Sequence, residues 1–307
     1  MMGGGERMKI WKNGIFVPWK KATTHFLTHS LHYSGAVYEG IRCYKTKQGP
    51  AIFRLEDHIK RLLNSARIID MEHDWRKEEL QNACIDLVKE NKMEECYIRP
   101  LLYYGAGEMG INTVGKKADA EIAVWKWGAY LGEGREKGVR VVTSTWRKAA
   151  PDAMPLHAKV SGNYTVAILA KKEAIKKGCD EAILLDPSGC VAEGPGENIF
   201  AWRKGTLLTP PTTYALEGIT RDTVIALAKE RRIPLEVKVL TRDECYTVDE
   251  LFFTGTAAEI TPIVEYDERK IGDGKVGELT KTFQQMYFSL VHGETQGKME
   301  RLWLTYV

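Results

Sequence analysis

Short apolar runs alternate with amphipathic stretches along all 307 residues, and no segment repeats another. A short apolar run builds a strand, and apolar recurrence every three or four residues builds a helix. A chain that keeps switching between the two periods is committed to helices packed on sheets. Residues 36–44 and 51–54, around Lys47-Gln48-Gly49-Pro50, read as a hairpin. Leu55, Ile59, Leu62, Leu63, Ala66 and Ile69 follow at helical spacing, and a second helix carries Leu80, Ala83, Cys84, Leu87 and Val88. Strands are expected at 96–104, 120–127 and 139–143, and a helix at 163–177. A hairpin is expected from 182–186, Pro187-Ser188-Gly189 and 199–202, then a helix near 220–231, strands at 251–254 and 260–264, and a helix at 276–290. The class is α+β or mixed α/β.

A chain of this length exceeds what one core usually holds, so two domains are expected. The segment 126–137 is rich in glycine and charge and is the natural linker between 1–125 and 138–307. Hydrophobic residues make up 44% and charged ones 28%, enough apolar material for a sizeable core in a soluble protein. The 44 basic and 41 acidic side chains nearly cancel, which gives no reason to expect nucleic acid or an anionic membrane as partner. The six cysteines are scattered, without a C-x-x-C pair or a histidine at zinc-ligand spacing, so reduced thiols in a cytoplasmic protein and no metal are expected. No apolar run reaches membrane-spanning length, and the glycine-rich start (residues 1–7) lacks a signal peptide's apolar core and reads as a disordered extension.

Several short segments carry chemistry. In Leu156-His157-Ala158-Lys159-Val160-Ser161-Gly162-Asn163-Tyr164 one lysine stands before an apolar helix, with no other Asp, Glu, Lys or Arg between Asp152 and Lys171. A lysine kept from water becomes a nucleophile and Schiff-base former, although a loop lysine before a helix is the plain alternative. Gly218-Ile219-Thr220 opens a helix whose first amides suit a phosphate, unless Thr220 merely caps it. Gly255-Thr256-Ala257-Ala258 ends an apolar strand with small residues that let a ligand approach the amides, or simply make a tight turn. Arg61 flanks the apolar stripe of its helix and either clamps a phosphate or lays its stem on the core edge. The stiff loop Glu193-Gly194-Pro195-Gly196-Glu197-Asn198 either binds a cation, for which the sequence offers no further ligands nearby, or is a solvated turn, or aims one carboxylate at a cofactor ring nitrogen.

Taken together, Lys159 with Tyr164, Glu193 in its E-G-x-G-E-N, the G-I-T-R-D of 218–222 and the G-T-A-A-E of 255–259 resemble the two-domain fold-type IV pyridoxal-phosphate enzymes. Tyr38-Glu39-Gly40-Ile41-Arg42, Tyr97-Ile98-Arg99-Pro100 and Trp127-Gly128-Ala129-Tyr130-Leu131-Gly132 are similar to branched-chain amino acid aminotransferases. The resemblance covers nearly the whole chain. It implies a small N-terminal and a larger C-terminal cofactor-binding domain. It implies that Lys159 carries pyridoxal 5'-phosphate as an internal aldimine and moves the proton, that Glu193 pairs with the pyridinium nitrogen, and that Tyr164 bonds the phenolic oxygen. Arg61, Ile219, Thr220 and Thr256 then hold the phosphate. The substrate carboxylate meets Thr256 and Ala257 or Ala258 with Tyr97, beside Gly40. Tyr33, Tyr38, Trp127, Tyr130, Met109 and Ile111 line the side-chain pocket, and Arg99 takes the distal carboxylate of glutamate. The implied reaction is ping-pong transamination of leucine, isoleucine and valine with 2-oxoglutarate, giving glutamate. In the family, the loops matching Tyr33 and Ile111 come from a neighbouring subunit, which implies at least a homodimer. D-amino-acid and (R)-amine transaminases and aminodeoxychorismate lyase share the fold. The loop 105–117 lacks the Arg-x-His pair of the D-specific enzymes. A nucleotide- or nucleic-acid-binding module without chemistry is the rival of another class, and the near-neutral charge speaks against it.

Overall fold

The computed structural model describes residues 8–128 and 130–307; the start expected to be an extension (residues 1–7) and Ala129 lie outside the described residues. In chain order come β1 (Lys9–Lys12), β2 (Ile15–Pro18), α1 (His29–Tyr33), β3 (Ala36–Tyr38), β4 (Ile41–Thr46), β5 (Gly49–Phe53), α2 (Leu55–Ile68), α3 (Lys77–Glu90), β6 (Cys96–Tyr103) and β7 (Asp119–Trp125). These are followed by α4 (Gly134–Lys137), β8 (Val139–Arg147), α5 (Tyr164–Lys176), β9 (Glu181–Leu185), β10 (Val191–Glu193), β11 (Asn198–Arg203), β12 (Thr206–Thr209), α6 (Ile219–Glu230) and β13 (Leu235–Val237). The remainder is α7 (Arg242–Cys245), β14 (Glu250–Gly255), β15 (Glu259–Tyr266), β16 (Arg269–Lys270), α8 (Glu278–Val291), α9 (Lys298–Trp303) and β17 (Leu304–Tyr306). The chain divides into two compact units. One holds the chain up to Trp127, Ala158–Gly162 and Ser289–Val307; the other holds Gly128–His157 and Asn163–Phe288.

Among the described residues, the first unit has an eight-stranded sheet in the order β17-β5-β4-β6-β7-β1-β2, with β3 also paired to β6. Its helices form where apolar residues recur every three or four positions. Leu55, Ile59, Leu62 and Ala66 of α2, with Leu80, Cys84 and Leu87 of α3, bury against Ile41, Cys43, Ile98, Leu102 and Ile122 of the strands. Burying one such leucine contributes about 1.5–3 kcal/mol, and Leu62→Ala would cost roughly 2–5 kcal/mol through lost contact and a cavity. The other edge of α2 is polar: His58, Arg61 and Ser65 recur at the same spacing and so share one face. The strand expected over 36–44 is broken at Glu39-Gly40 into β3 and β4, because the Glu39 side chain turns into the interior.

The second unit has a nine-stranded mixed sheet among the described residues, in the order β10-β9-β8-β15-β14-β11-β12-β13, with β16 on β15. β8 runs parallel to both its neighbours, β9 and β15. The hairpin partner of β9 is β10, not residues 199–202 as the sequence leads one to expect. The reason lies in the short strand Val191–Glu193, which pairs right after the turn; the chain then bends at Gly194-Pro195-Gly196, and β11 leaves to pair with β12 and β14. Within the segment expected to be a linker, α4 forms a single turn. The architecture is α+β, with helices on two separate sheets.

Candidate functional site

In the first unit the lysine segment is pinned by its peptide groups. The Lys159 N–H donates to Ser65 Oγ at 2.9 Å, and the Lys159 carbonyl accepts from the Tyr38 N–H at 3.1 Å. A bridge between Val37 and Val160 continues this pairing. The Lys159 Nζ lies 5.1 Å from the centre of the Tyr38 ring, and the side chain is half-buried. The face of α2 that holds Ser65 also presents Arg61. The Arg61 Nε and Nη2 donate to Glu39 Oε1 and Oε2 at 2.6 and 2.9 Å, and His58 Nδ1 donates to Glu39 Oε2 at 2.7 Å. Burial works to raise the Glu39 pKa, but the Arg61 guanidinium and the His58 ring outweigh it and hold the carboxyl well below the usual carboxylate range. Burial pushes His58 down, so the ring is neutral and its Nδ1–H is the donor.

Alternation along β6 sends Ile98 into the core and Tyr97 and Arg99 to the opposite face. There the Arg99 guanidinium lies 4.7, 5.3 and 5.8 Å from the rings of Tyr38, Tyr97 and Trp125. Trp127 packs edge-on to Tyr97 with centroids 4.5 Å apart. Arg99 Nε is buried with no hydrogen-bond partner, and Nη2 makes a long 3.4 Å bond to the Tyr97 hydroxyl. A half-buried guanidinium whose Nε–H is buried and unmet is a ready site for an anion. Gly40 is fitted to this arrangement: a Cβ there would lie 1.8 Å from the Tyr97 hydroxyl oxygen.

Tyr33 closes α1, and Met109 and Ile111 lie on the irregular segment between β6 and β7; all three are exposed. His29, at the start of α1, joins them. Its Nε2 donates to the Gly110 carbonyl at 2.6 Å, and its ring lies 4.7 Å from that of Tyr33.

In the second unit Glu193 ends β10 as a buried carboxylate. Its Oε1 accepts from Lys148 Nζ at 2.5 Å, and Oε2 accepts from the Leu216 amide at 3.1 Å and from Asn198 Nδ2 at 3.2 Å. Asn198 reaches back to the Leu216 carbonyl at 2.9 Å. That bond places Asn198 against Gly218, where a Cβ would come within 1.8 Å of Asn198 Oδ1. Gly218 is the N-cap of α6 and provides no side-chain cap. Thr220, expected as a possible cap, lies within the first turn and is buried, so the cap is glycine. A twelve-residue helix that starts this way presents its dipole and first amides to an anion. Thr256, Ala257 and Ala258 form the tight turn between β14 and β15, and Gly255 passes close to the Gly196 carbonyl, with room of only 3.2 Å for a Cβ. Tyr164 is the first residue of α5, and Tyr130 lies under Lys171, whose Nζ is 5.5 Å from its ring centre.

Glu197 is also buried. Burial, followed by the nearby Glu181 charge, pushes its carboxyl up to about 8. Glu181 is likewise raised by burial, against the opposing pull of Lys171 at 2.8 Å. No cluster of three or more His, Cys, Asp or Glu among the described residues is placed to hold a metal.

The first unit thus gathers Lys159, tied through Ser65 to Arg61, and Tyr97, Arg99, Trp127 and Gly40, with the Tyr38 ring lying against both Lys159 and Arg99. The second holds Glu193 beside the Gly218 start of α6 through Asn198. The sequence does not single out Lys148, His29, His58 or Ser65, and it marks Glu39 only as part of a motif. Each makes its bond to a residue tens of positions away, which no local pattern reveals.

Residues 36–266 match the family model for class IV amino-transferases. The chain is similar to the branched-chain-amino-acid aminotransferase of Pseudomonas aeruginosa, 48% identical over 97% of each chain. It is also similar to the T.th. branched-chain amino acid aminotransferase solved with pyridoxamine 5'-phosphate, with a TM-score of 0.94, 46% identity and 98% of each chain covered. The structure of the T.th. enzyme complexed with N-(5'-phosphopyridoxyl)-L-glutamate matches with a TM-score of 0.93 and 44% identity over 98% of each chain.

Proposed function

The chain belongs to the class IV aminotransferase family, and from that premise we propose that it transfers the amino group of leucine, isoleucine and valine to 2-oxoglutarate with pyridoxal 5'-phosphate as cofactor. The observation that carries this reading is the Lys159 peptide, hydrogen-bonded on both sides and tied through Ser65 to the helix that bears Arg61, in a chain that matches a pyridoxamine-phosphate-bound aminotransferase nearly end to end.

The donor set fits the cofactor. A buried carboxylate, Glu193, suits a protonated ring nitrogen, and the uncapped glycine start of α6 suits a phosphate. When bound, pyridoxal 5'-phosphate supplies the carbon that carries the amino group and a ring that accepts the electron pair left on the substrate α-carbon. The residues do the rest. Lys159 Nζ would hold the cofactor, and its free amine would serve as the base that moves the proton of the substrate α-carbon. Glu193 keeps the ring nitrogen protonated; Lys148, Leu216 and Asn198 hold its two oxygens in place. Tyr164 donates to the phenolic oxygen. As phosphate ligands the family resemblance offers Arg61 in the first unit and, in the second, the amides of Ile219 and Thr220 with Thr256.

As groups for the substrate carboxylate the family resemblance offers, in the second unit, the amides of Thr256 and Ala257 or Ala258 and, in the first, the Tyr97 hydroxyl, with Gly40 leaving room for that ring. Tyr33, Tyr38, Trp127, Met109 and Ile111 of the first unit and Tyr130 of the second are the apolar side-chain contacts that the family resemblance offers, and such contacts discriminate by only about 1–3 kcal/mol per methylene. Arg99, whose Nε has no partner, takes the distal carboxylate of glutamate or 2-oxoglutarate. The exposure of Tyr33 and of Ile111, which is 88% accessible, supports a homodimer in which these side chains serve the neighbouring subunit. We also assign the protein to the cytoplasm; no helix among the described residues is long and apolar enough to cross a membrane.

The test is a paired assay of wild type and Lys159→Ala with L-leucine and 2-oxoglutarate, following 2-oxo acid formation. Wild type should turn over and Lys159→Ala should lose activity by several orders of magnitude. Turnover retained by the variant ends the assignment of Lys159, and a wild type inactive on leucine ends that of the substrate.

A further inference from the structure

The residues around Lys159 form a closed ring of bonds that the reaction does not use directly. The Lys159 N–H donates to Ser65 Oγ (2.9 Å), and the Ser65 hydroxyl donates to the Arg61 carbonyl (2.8 Å). The Arg61 fork donates to Glu39 (2.6 and 2.9 Å), Glu39 is joined to Tyr38 by its peptide bond, and the Tyr38 N–H donates back to the Lys159 carbonyl (3.1 Å). Glu39 is completely buried and accepts four bonds, from Arg61 twice, from His58 (2.7 Å) and from the Gly40 amide (3.1 Å). A buried anion is expensive unless donors meet it, and a carboxylate held by four bonds, three on Oε2 and one on Oε1, strongly prefers one position. The planar guanidinium bound through two nitrogens inherits that position.

We infer that Glu39 is the positioning residue for Arg61: it fixes the guanidinium relative to the Lys159 backbone, so that phosphate and lysine are held at one set distance. The inference rests on the reading of Arg61 as a phosphate ligand. His58 serves as a second, neutral donor that keeps the Glu39 carboxylate from rotating with the arginine. Ser65 ties the other end of the ring by accepting from one backbone and donating to the next. Within this ring, Glu39, His58 and Ser65 contact neither substrate nor cofactor in the proposed reading; they act only through Arg61 and the Lys159 backbone.

The reaction rate alone would not separate positioning from general support of the fold; a comparison of two cofactor forms does. Binding of pyridoxal 5'-phosphate and of pyridoxal, which lacks the phosphate, is measured by absorbance on cofactor-free full-length protein for wild type, Glu39→Gln, Arg61→Ala and the double variant. If Glu39 acts through Arg61, Glu39→Gln lowers the preference for the phosphorylated form about tenfold, the size of one weakened charge-assisted bond. Pyridoxal binding stays within about twofold, and Glu39→Gln adds nothing once Arg61 is alanine. Equal weakening of both forms, or additive losses in the double variant, overturns the inference. Should Glu39→Gln not fold, Glu39→Asp keeps the charge, shortens the reach and reads the same ratio. A wild type that takes up neither form defeats the functional reading itself, which is a different outcome from a wild type that binds with an unaltered ratio in Glu39→Gln.

Discussion

The Lys148 ammonium stands 2.5 Å from Glu193 Oε1, at the end of a strand 45 residues earlier in the chain, and both side chains are largely buried. Removing one partner of a buried pair leaves the other charge uncompensated, whereas removing both relieves the desolvation. Lys148→Met should therefore cost about 1–3 kcal/mol, and Lys148→Met with Glu193→Gln should cost less than the sum of the two singles. Urea midpoints of the four proteins check this. Strict additivity would show that the pair carries no coupling.

Gly40 faces the Tyr97 hydroxyl so closely that an added Cβ would sit 1.8 Å from the oxygen and 2.7 Å from Cζ. Gly40→Ala must therefore displace the tyrosine, and overpacking of this kind typically costs about 1–3 kcal/mol. Because Arg99 stacks on the same ring, the KM for 2-oxoglutarate should rise about tenfold, more than that for leucine. Tyr97→Phe in the Gly40→Ala background removes the nearer atom and should restore part of the lost stability in thermal melts. No restoration would mean that the strain lies elsewhere.

The periodic elements are legible because burial acts locally. The α2 stripe of Leu55, Ile59, Leu62 and Ala66 and the apolar run of β14 can be read from spacing alone. Pairings set by distant residues cannot. β10 is only three residues long, too short to register as a strand, so the sequence assigns β9 the wrong partner. β17 completes the first sheet by pairing with β5, and its Leu304-Thr305-Tyr306 has no distinguishing pattern. The same divide holds for the chemistry. Lys159 stands out by its uncharged surroundings, while Glu193 and Arg61 receive their roles only through resemblance. Lys148 follows Arg147 and reads as one more solvated basic residue. Glu39 sits in a strand-like run, where a buried carboxylate is visible only once Arg61, 22 residues on, and His58, 19 residues on, are brought to it.

His29 ties α1 to the Met109–Ile111 segment by one bond, from Nε2 to the Gly110 carbonyl, with its own Nδ1 buried and unpartnered. A single neutral hydrogen bond is worth about 1 kcal/mol, so His29→Ala should raise amide exchange around residue 110 about fivefold. His29→Gln, which keeps an N–H donor, should recover much of that protection. If Met109, Ile111 and Tyr33 form one wall, His29→Ala also narrows the preference among leucine, isoleucine and valine while leaving kcat for leucine within about twofold. Unchanged exchange at residues 105–117 would remove His29 from this role.

Glu197 makes stability depend on pH in a direction opposite to most carboxylates. Burial and the Glu181 charge raise its folded pKa to about 8 from the ordinary 4.5, so between those values the folded state keeps a proton that the unfolded state has released. Stability then falls as pH rises, because the unfolded chain binds fewer protons. The stabilising contribution is full below about 4.5 and is lost as pH climbs through about 8. Glu197→Gln mimics the protonated form at every pH, so its thermal midpoint relative to wild type should rise from pH 5 to pH 8. Because the Glu181 charge adds to the effect of burial on Glu197, Glu181→Gln should lower the Glu197 pKa and move that transition to lower pH. A midpoint difference that stays flat across that range would show that Glu197 is ionised in the folded protein.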